Sequence, residues 1–120
     1  MKLSNLKKTW ILDLDGTLLL HNGHKNGQDV ILPGVKEFLS KIKDDFIIIV
    51  TARDESDRTK TEEFLKNSSI KYNTIVFAAP IGERIIINDE KPSGLVTAHA
   101  VSVQRNFGLS DIRFEIDEHM

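Results

Sequence analysis

The stretch from Trp10 to Leu19, which reads WILDLDGTLL, constrains the fold of this chain more than any other. It begins with apolar residues that scarcely alternate, a pattern typical of a strand covered on both faces. Asp13 and Asp15 interrupt the pattern, and in an extended backbone their side chains would leave the same face. Gly16 then allows a sharp turn. Because unpaired buried carboxylates are costly, this arrangement indicates a bound cation such as Mg²⁺.

Length and composition exclude several classes of protein. The 120 residues fit a single domain, predicted here to span 1–120. The net charge of −2 favours neither nucleic acid nor an anionic membrane as a partner. The absence of cysteine excludes disulfides, thiolate nucleophiles and zinc–thiolate sites. No apolar run reaches the ~20 residues that span a bilayer, and Asp13 interrupts the first one, so we expect a cytoplasmic protein without a signal peptide.

Strand and helix patterns alternate after this stretch, which predicts an α/β fold. Pro33 and Gly34 open a helix whose apolar residues recur at helical spacing, and a second, highly charged helix ends near Asn67. Strands are predicted at 46–50, 74–77, 84–87 and 98–103, with a short helix as the alternative for the last of these. The pattern from 109 to 116 fits a strand or a helix.

A flap is predicted over residues 18–32. Leu18–Leu20 and Val30–Leu32 can pair across a loop that contains two Asn-Gly turns. His21 and His24 in this loop could bind a metal or a phosphate. A solvated loop is the preferred interpretation, because no carboxylate or third ligand accompanies them in the sequence pattern.

The residues Asp13-Leu14-Asp15-Gly16-Thr17 resemble the first motif of the haloacid dehalogenase (HAD) superfamily of phosphotransferases. Thr51 stands where the second motif of that family has a Ser or Thr that holds a phosphoryl oxygen. Asn88-Asp89-Glu90 resembles the fourth motif, an acidic pair that binds the metal, although Asn88 replaces its first acid. The resemblance implies a three-layer, Rossmann-like fold with a mostly parallel sheet of about five strands. The insertion at 18–32 is too short for a cap domain.

The third motif of the family, a Lys or Arg after the third strand, has no clear match. Residues 78–84 contain no lysine, and Arg84 begins the predicted fourth strand, at the end of a parallel sheet away from the acids. Lys91 is therefore preferred, ahead of Arg53 and Arg58. The six or so residues between the third and fourth strands are also few for a parallel crossover, and a hairpin would place Asp89 at the opposite end.

The resemblance implies a Mg²⁺-dependent phosphomonoester hydrolase that acts through an aspartyl-phosphate, with a sugar phosphate as one candidate substrate. Its open site suits bulky substrates or a homo-oligomer in which a neighbouring copy covers the site. One alternative is a catalytically degenerate HAD-fold module that only binds a partner or phosphate. A phospho-receiver domain is another, against which Asp15 argues because such a domain needs no general acid. The implied site comprises the catalytic residues Asp13, Asp15, Thr51 and Lys91, the substrate-binding residues Gly16, Thr17, Ala52 and Arg53, and the metal ligands Asp13, Asp15 (through its carbonyl) and Asp89.

Overall fold

The computed structural model describes residues 1–120 and contains five strands and two α-helices. Short 3₁₀ helices lie at Gly23–Asn26 and Glu55–Asp57. The regular elements, in chain order, are β1 (Lys2–Leu3), β2 (Thr9–Asp13), α1 (Val35–Lys41), β3 (Phe46–Val50), α2 (Arg58–Asn67), β4 (Thr74–Val76) and β5 (Glu115–Ile116).

A parallel sheet in the order β2-β3-β4 forms the centre of the molecule. Asp13 pairs with Val50, and Val50 pairs with Val76, so all three strands end at the same edge. β1 and β5 form a second, two-stranded parallel sheet. The chain is thus an α/β protein with parallel strands, but its five strands are divided between two sheets and do not form the expected single sheet.

The two faces of the central sheet differ in their cover. Both crossovers move in the same direction across the sheet, so right-handed connections place α1 and α2 on one face. Ile47, Ile49 and Ile75 lie on that face and belong to the hydrophobic core. The opposite face is open, since Ile11 is 45% exposed and Val76 is 46% exposed. The expectation that the first strand is covered on both faces is therefore wrong.

The strands predicted at 84–87 and 98–103 do not form, and neither does the alternative helix over the second of these ranges. Every residue from 81 to 94 is exposed, and Ile87 is 94% exposed. A β-branched run forms a strand only when it shares hydrogen bonds with a neighbouring strand. β2 is an edge strand of the central sheet, and neither run pairs with its free edge.

Other predictions are confirmed. The strand at 46–50 has the predicted bounds, and the first helix begins directly after Gly34, which has a φ of +75°. The flap forms as well, with Leu19 bridged to Ile31 in antiparallel register. For residues 109–116 the pattern fitted a strand or a helix, and the structure has a short strand at the C-terminal end of this range. No helix is long and apolar enough to cross a membrane.

Candidate functional site

The candidate site lies where β2 and β3 end. Asp13 is the last residue of β2, and Thr51 follows the last residue of the neighbouring β3. A tight turn follows Asp13, in which the N–H groups of Leu18 and Leu19 both donate to the carbonyl of Leu14 at 2.9 Å. Gly16 sits in this turn with a φ of +86°, a conformation that favours glycine.

Asp13 is the accessible carboxylate of the site. Its Oδ2 accepts a hydrogen bond from Thr17 Oγ1 at 3.0 Å, and its Oδ1 accepts one from Arg84 Nη1 at 3.0 Å. The side chains of Arg84 and Asp13 are 35% and 36% exposed, respectively. A carboxylate fixed by a hydroxyl on one oxygen, and facing a cation and solvent on the other, is placed to meet a ligand.

Asp15 is held in a buried network around Arg53, whose side chain is only 2% exposed. Arg53 donates through Nε and Nη2 to the two carboxylate oxygens of Asp15 at 3.0 and 2.7 Å. It donates through Nη1 and Nη2 to Asp29 at 3.1 and 2.7 Å, and through Nη1 to Thr61 Oγ1 at 3.0 Å. Burial alone would lower the pKa of Arg53, but its hydrogen bonds to the two carboxylates outweigh burial, so this pKa is raised above its ordinary value.

His24, from the flap, lies beside this network. Its buried Nδ1 has no hydrogen-bond partner and is 4.0 Å from Asp15 Oδ1. The solvated-loop interpretation therefore does not hold for His24, whose side chain is 18% exposed. Ligand atoms of Asp15, His24 and Asp29 lie within 4.8 Å of one another, but the guanidinium of Arg53 already donates hydrogen bonds to both Asp15 and Asp29 and offsets one of their two charges.

The carboxylates of Asp13, Asp15 and Asp89 do not form a group whose oxygens all lie within 4.8 Å of one another. Asp89 lies in the exposed segment, where its carbonyl accepts a hydrogen bond from the Thr97 hydroxyl. The backbone carbonyl of Asp15 accepts no hydrogen bond. The Asp13 carboxylate and this carbonyl are therefore the oxygen ligands that the turn itself offers to a metal ion.

Of the remaining predicted residues, Thr51 and Ala52 lie at the end of β3 and Lys91 lies in the exposed segment. Thr51 is 1% exposed, its Oγ1 accepts a hydrogen bond from the Arg53 N–H at 3.1 Å, and its hydroxyl proton is donated to no protein group. Ala52 is exposed next to it. Lys91 lies in an exposed turn closed by the Gly94 N–H, and its ammonium forms no ion pair or hydrogen bond.

Two contacts of the site differ from the prediction. Arg84 was expected to begin a strand at the far end of the sheet, but that strand is absent, and Arg84 is the cation that contacts Asp13. Asp29 was expected in a surface loop, yet Asp29 is the second partner of Arg53, with a side chain 8% exposed. The sequence holds no local signal for Asp29, because a contact 24 residues apart depends on how the flap folds.

No protein family model, no curated protein and no solved structure matches this chain. The site offers one accessible carboxylate paired with a guanidinium, a second carboxylate two residues later, and a threonine hydroxyl at the adjacent strand end. These groups can serve as a nucleophile, a proton carrier and donors to an anion.

Proposed function

We propose that the chain is a Mg²⁺-dependent phosphomonoester hydrolase of the HAD type, without a cap domain, that acts through an aspartyl-phosphate on a small molecule such as a sugar phosphate. The observation that carries this proposal is the setting of Asp13. It is held in place by Thr17, remains partly accessible and faces the cation Arg84. A nucleophilic carboxylate needs this combination, because an incoming phosphate must approach it without repulsion.

In the proposed reaction, an oxygen of Asp13 attacks phosphorus, and the bond from phosphorus to the leaving oxygen breaks. Asp15 gives its proton to the leaving oxygen and later takes a proton from the water that hydrolyses the aspartyl-phosphate. Asp15 can do this only when one of its oxygens is released from Arg53, because Arg53 donates to both.

Charge on the transferred phosphoryl group is stabilised by nearby donors. Arg84 offsets the repulsion between Asp13 and the phosphate, which is the part that the sequence assigned to Lys91. The Thr51 hydroxyl and the N–H groups of the turn after Asp13 hold phosphoryl oxygens. Gly16, Thr17 and Ala52 are the substrate-binding residues predicted for this part of the site.

Mg²⁺ fits the residues that the turn offers, since this ion is bound in proteins by one or two carboxylates together with waters and phosphate oxygens. Asp13 and the carbonyl of Asp15 would hold it, with Asp89 as the third predicted ligand. When bound, the ion would neutralise charge on the phosphoryl oxygens.

A second candidate function is a HAD-fold module that binds a phosphorylated partner without turnover. Two observations favour it. Both oxygens of Asp15 are occupied by Arg53, and the carboxylates of Asp13, Asp15 and Asp89 form no common group. A binding module needs only the cation at Arg84 and the donors around it.

The test is release of inorganic phosphate, with and without MgCl₂, from a panel of sugar phosphates, nucleotides and p-nitrophenyl phosphate. We expect Mg²⁺-dependent release, reduced more than about a thousandfold by Asp13→Asn, because the amide is no nucleophile. Asp44→Asn is the matched control: it makes the same change in an exposed acid before β3, at the opposite edge of the sheet, and should leave the rate unaltered. Undiminished release by Asp13→Asn would remove Asp13 as the nucleophile, and binding without release would favour the second candidate.

A further inference from the structure

The turn at residues 104–109 is tied to the candidate site at three points. The N–H of Asn106 donates to the carbonyl of Gly16 at 2.8 Å, and Asn106 Oδ1 accepts a hydrogen bond from the N–H of His21 at 2.8 Å. The N–H of Leu109 donates to the carbonyl of Pro33 at 2.9 Å. The turn at residues 104–109 therefore links three segments, namely the turn that follows Asp13, the flap and the start of α1.

The backbone of this turn allows little freedom. Asn106 has a φ of +67°, which asparagine tolerates better than most residues. Gly108 has a φ of +79°, and a Cβ added there would meet the carbonyl oxygen of Pro33 at 2.0 Å, so only glycine fits. The backbone of the residue preceding Asn106 is therefore held at a defined place, from which its side chain reaches the site.

Arg105 is that side chain. A Cβ added to Gly16 would lie 3.2 Å from Arg105 Cγ and 3.8 Å from Arg105 Nε, so the arginine stem covers the residue that follows Asp15. Arg105 is exposed and forms no hydrogen bond and no ion pair. Each of the other arginines of the chain donates to at least one acceptor, namely Arg53, Arg58, Arg84 and Arg113.

We propose that Arg105 is a specificity-determining residue that binds a second anionic group of the substrate, so that the substrate class is a phosphomonoester with an additional carboxylate or phosphate. The inference rests on the proposed function, because it takes the first phosphate to be bound at Asp13. An unpaired guanidinium beside Gly16 presents a planar set of donors to an anion entering the site. A neutral sugar would leave these donors to water.

Matched pairs of ligands test this assignment. Glucose 6-phosphate is compared with 6-phosphogluconate, the open-chain acid in which C1 is oxidised to a carboxylate, and fructose 6-phosphate with fructose 1,6-bisphosphate, which adds a phosphate. For each pair we measure kcat and KM of the full chain, and also the dissociation constant for the Asp13→Asn variant by calorimetry. Charge-assisted hydrogen bonds predict a preference of about tenfold to a hundredfold for at least one doubly anionic member, expressed in KM and in the dissociation constant.

Variants at Arg105 should remove this preference. Arg105→Ala should bring the ratio within a pair close to one, and Arg105→Glu should invert it, whereas the exposed Arg113→Ala should keep the wild-type ratio. Turnover with a ratio near one, or with a ratio that Arg105→Ala does not change, overturns the inference and leaves the hydrolase proposal standing. No turnover, but a binding preference that depends on Arg105, overturns the hydrolase proposal and supports the anion site. Neither turnover nor preference overturns both.

Discussion

Asp13 and Asp15 lie two residues apart, and each is paired with an arginine, yet the two pairs differ in their surroundings. Arg53 is 2% exposed and is shared between Asp15 and Asp29, whereas the Arg84–Asp13 pair is about one-third exposed on both sides. Opening a buried ion pair is costly because it leaves a charge in a poor solvent, whereas an exposed pair exchanges its partner for water or a ligand at little cost. The Arg53 pair therefore organises the site and gives up a contact with Asp15 only at a cost, while the Arg84 pair exchanges readily.

The largest effect is expected from Arg53→Ala. Removing the guanidinium leaves the partly buried carboxylates of Asp15 and Asp29 without their cation, which costs about 3–5 kcal/mol in the free energy of unfolding. Urea denaturation of the variant, followed by circular dichroism, measures this loss. Arg53→Lys should recover only part of it, because an ammonium cannot donate to both carboxylates in the forked geometry. A loss below 1 kcal/mol would mean that the pair does not organise the site.

Arg84→Ala should have a much smaller effect on stability. The same denaturation experiment should show a loss of less than about 1 kcal/mol, because the pair with Asp13 is partly solvated. If Arg84 acts on the phosphate as proposed, the same variant should nonetheless reduce phosphate release by about 10²–10³-fold. If Arg53→Ala and Arg84→Ala lowered the free energy of unfolding equally, the buried and exposed ion pairs would not differ in their contribution to stability.

The smallest effect is expected at a third pair, between Arg58, the first residue of α2, and Glu55 in the preceding 3₁₀ helix. Hydrogen bonding from Arg58 lowers the pKa of Glu55 below its ordinary value. Since the folded pKa lies below the unfolded one, the pair stabilises the fold above the ordinary glutamate pKa, and this contribution is lost as the pH falls through the folded pKa. An NMR titration should show the pKa of Glu55 rising in Arg58→Ala. An unchanged titration would mean that this exposed pair does not form in solution.

The sequence predicted the parts of the fold that local patterns determine. The helix after Gly34, the strand at 46–50 and the flap pairing follow from periodicity and turn residues, and each appears in the structure. The strand ends also placed Asp13 and Thr51 on adjacent strands, as parallel order requires. Such local patterns predict structure correctly where no contact with a distant part of the chain favours a different conformation.

The rest could not be predicted because it depends on partners far away in the chain. The run Arg84–Ile87 has the same β-branched character as β3, but β3 lies between two strands and this run lies beside none. The bonds from Arg53 to Asp29 and from Arg84 to Asp13 join residues 24 and 71 positions apart. No pattern within a window of sequence distinguishes a lysine or arginine that reaches the site from one that stays in solvent.

Trapping of the acyl phosphate shows whether Asp13 is the nucleophile that attacks phosphorus. The full chain is mixed with Mg²⁺ and an excess of its best substrate, quenched, and treated with borohydride, which reduces an acyl phosphate to an alcohol. Peptide mass spectrometry should then find homoserine at position 13 and unmodified aspartate at position 15. Phosphate release with no modification at position 13, or with modification at another acid, would contradict the account.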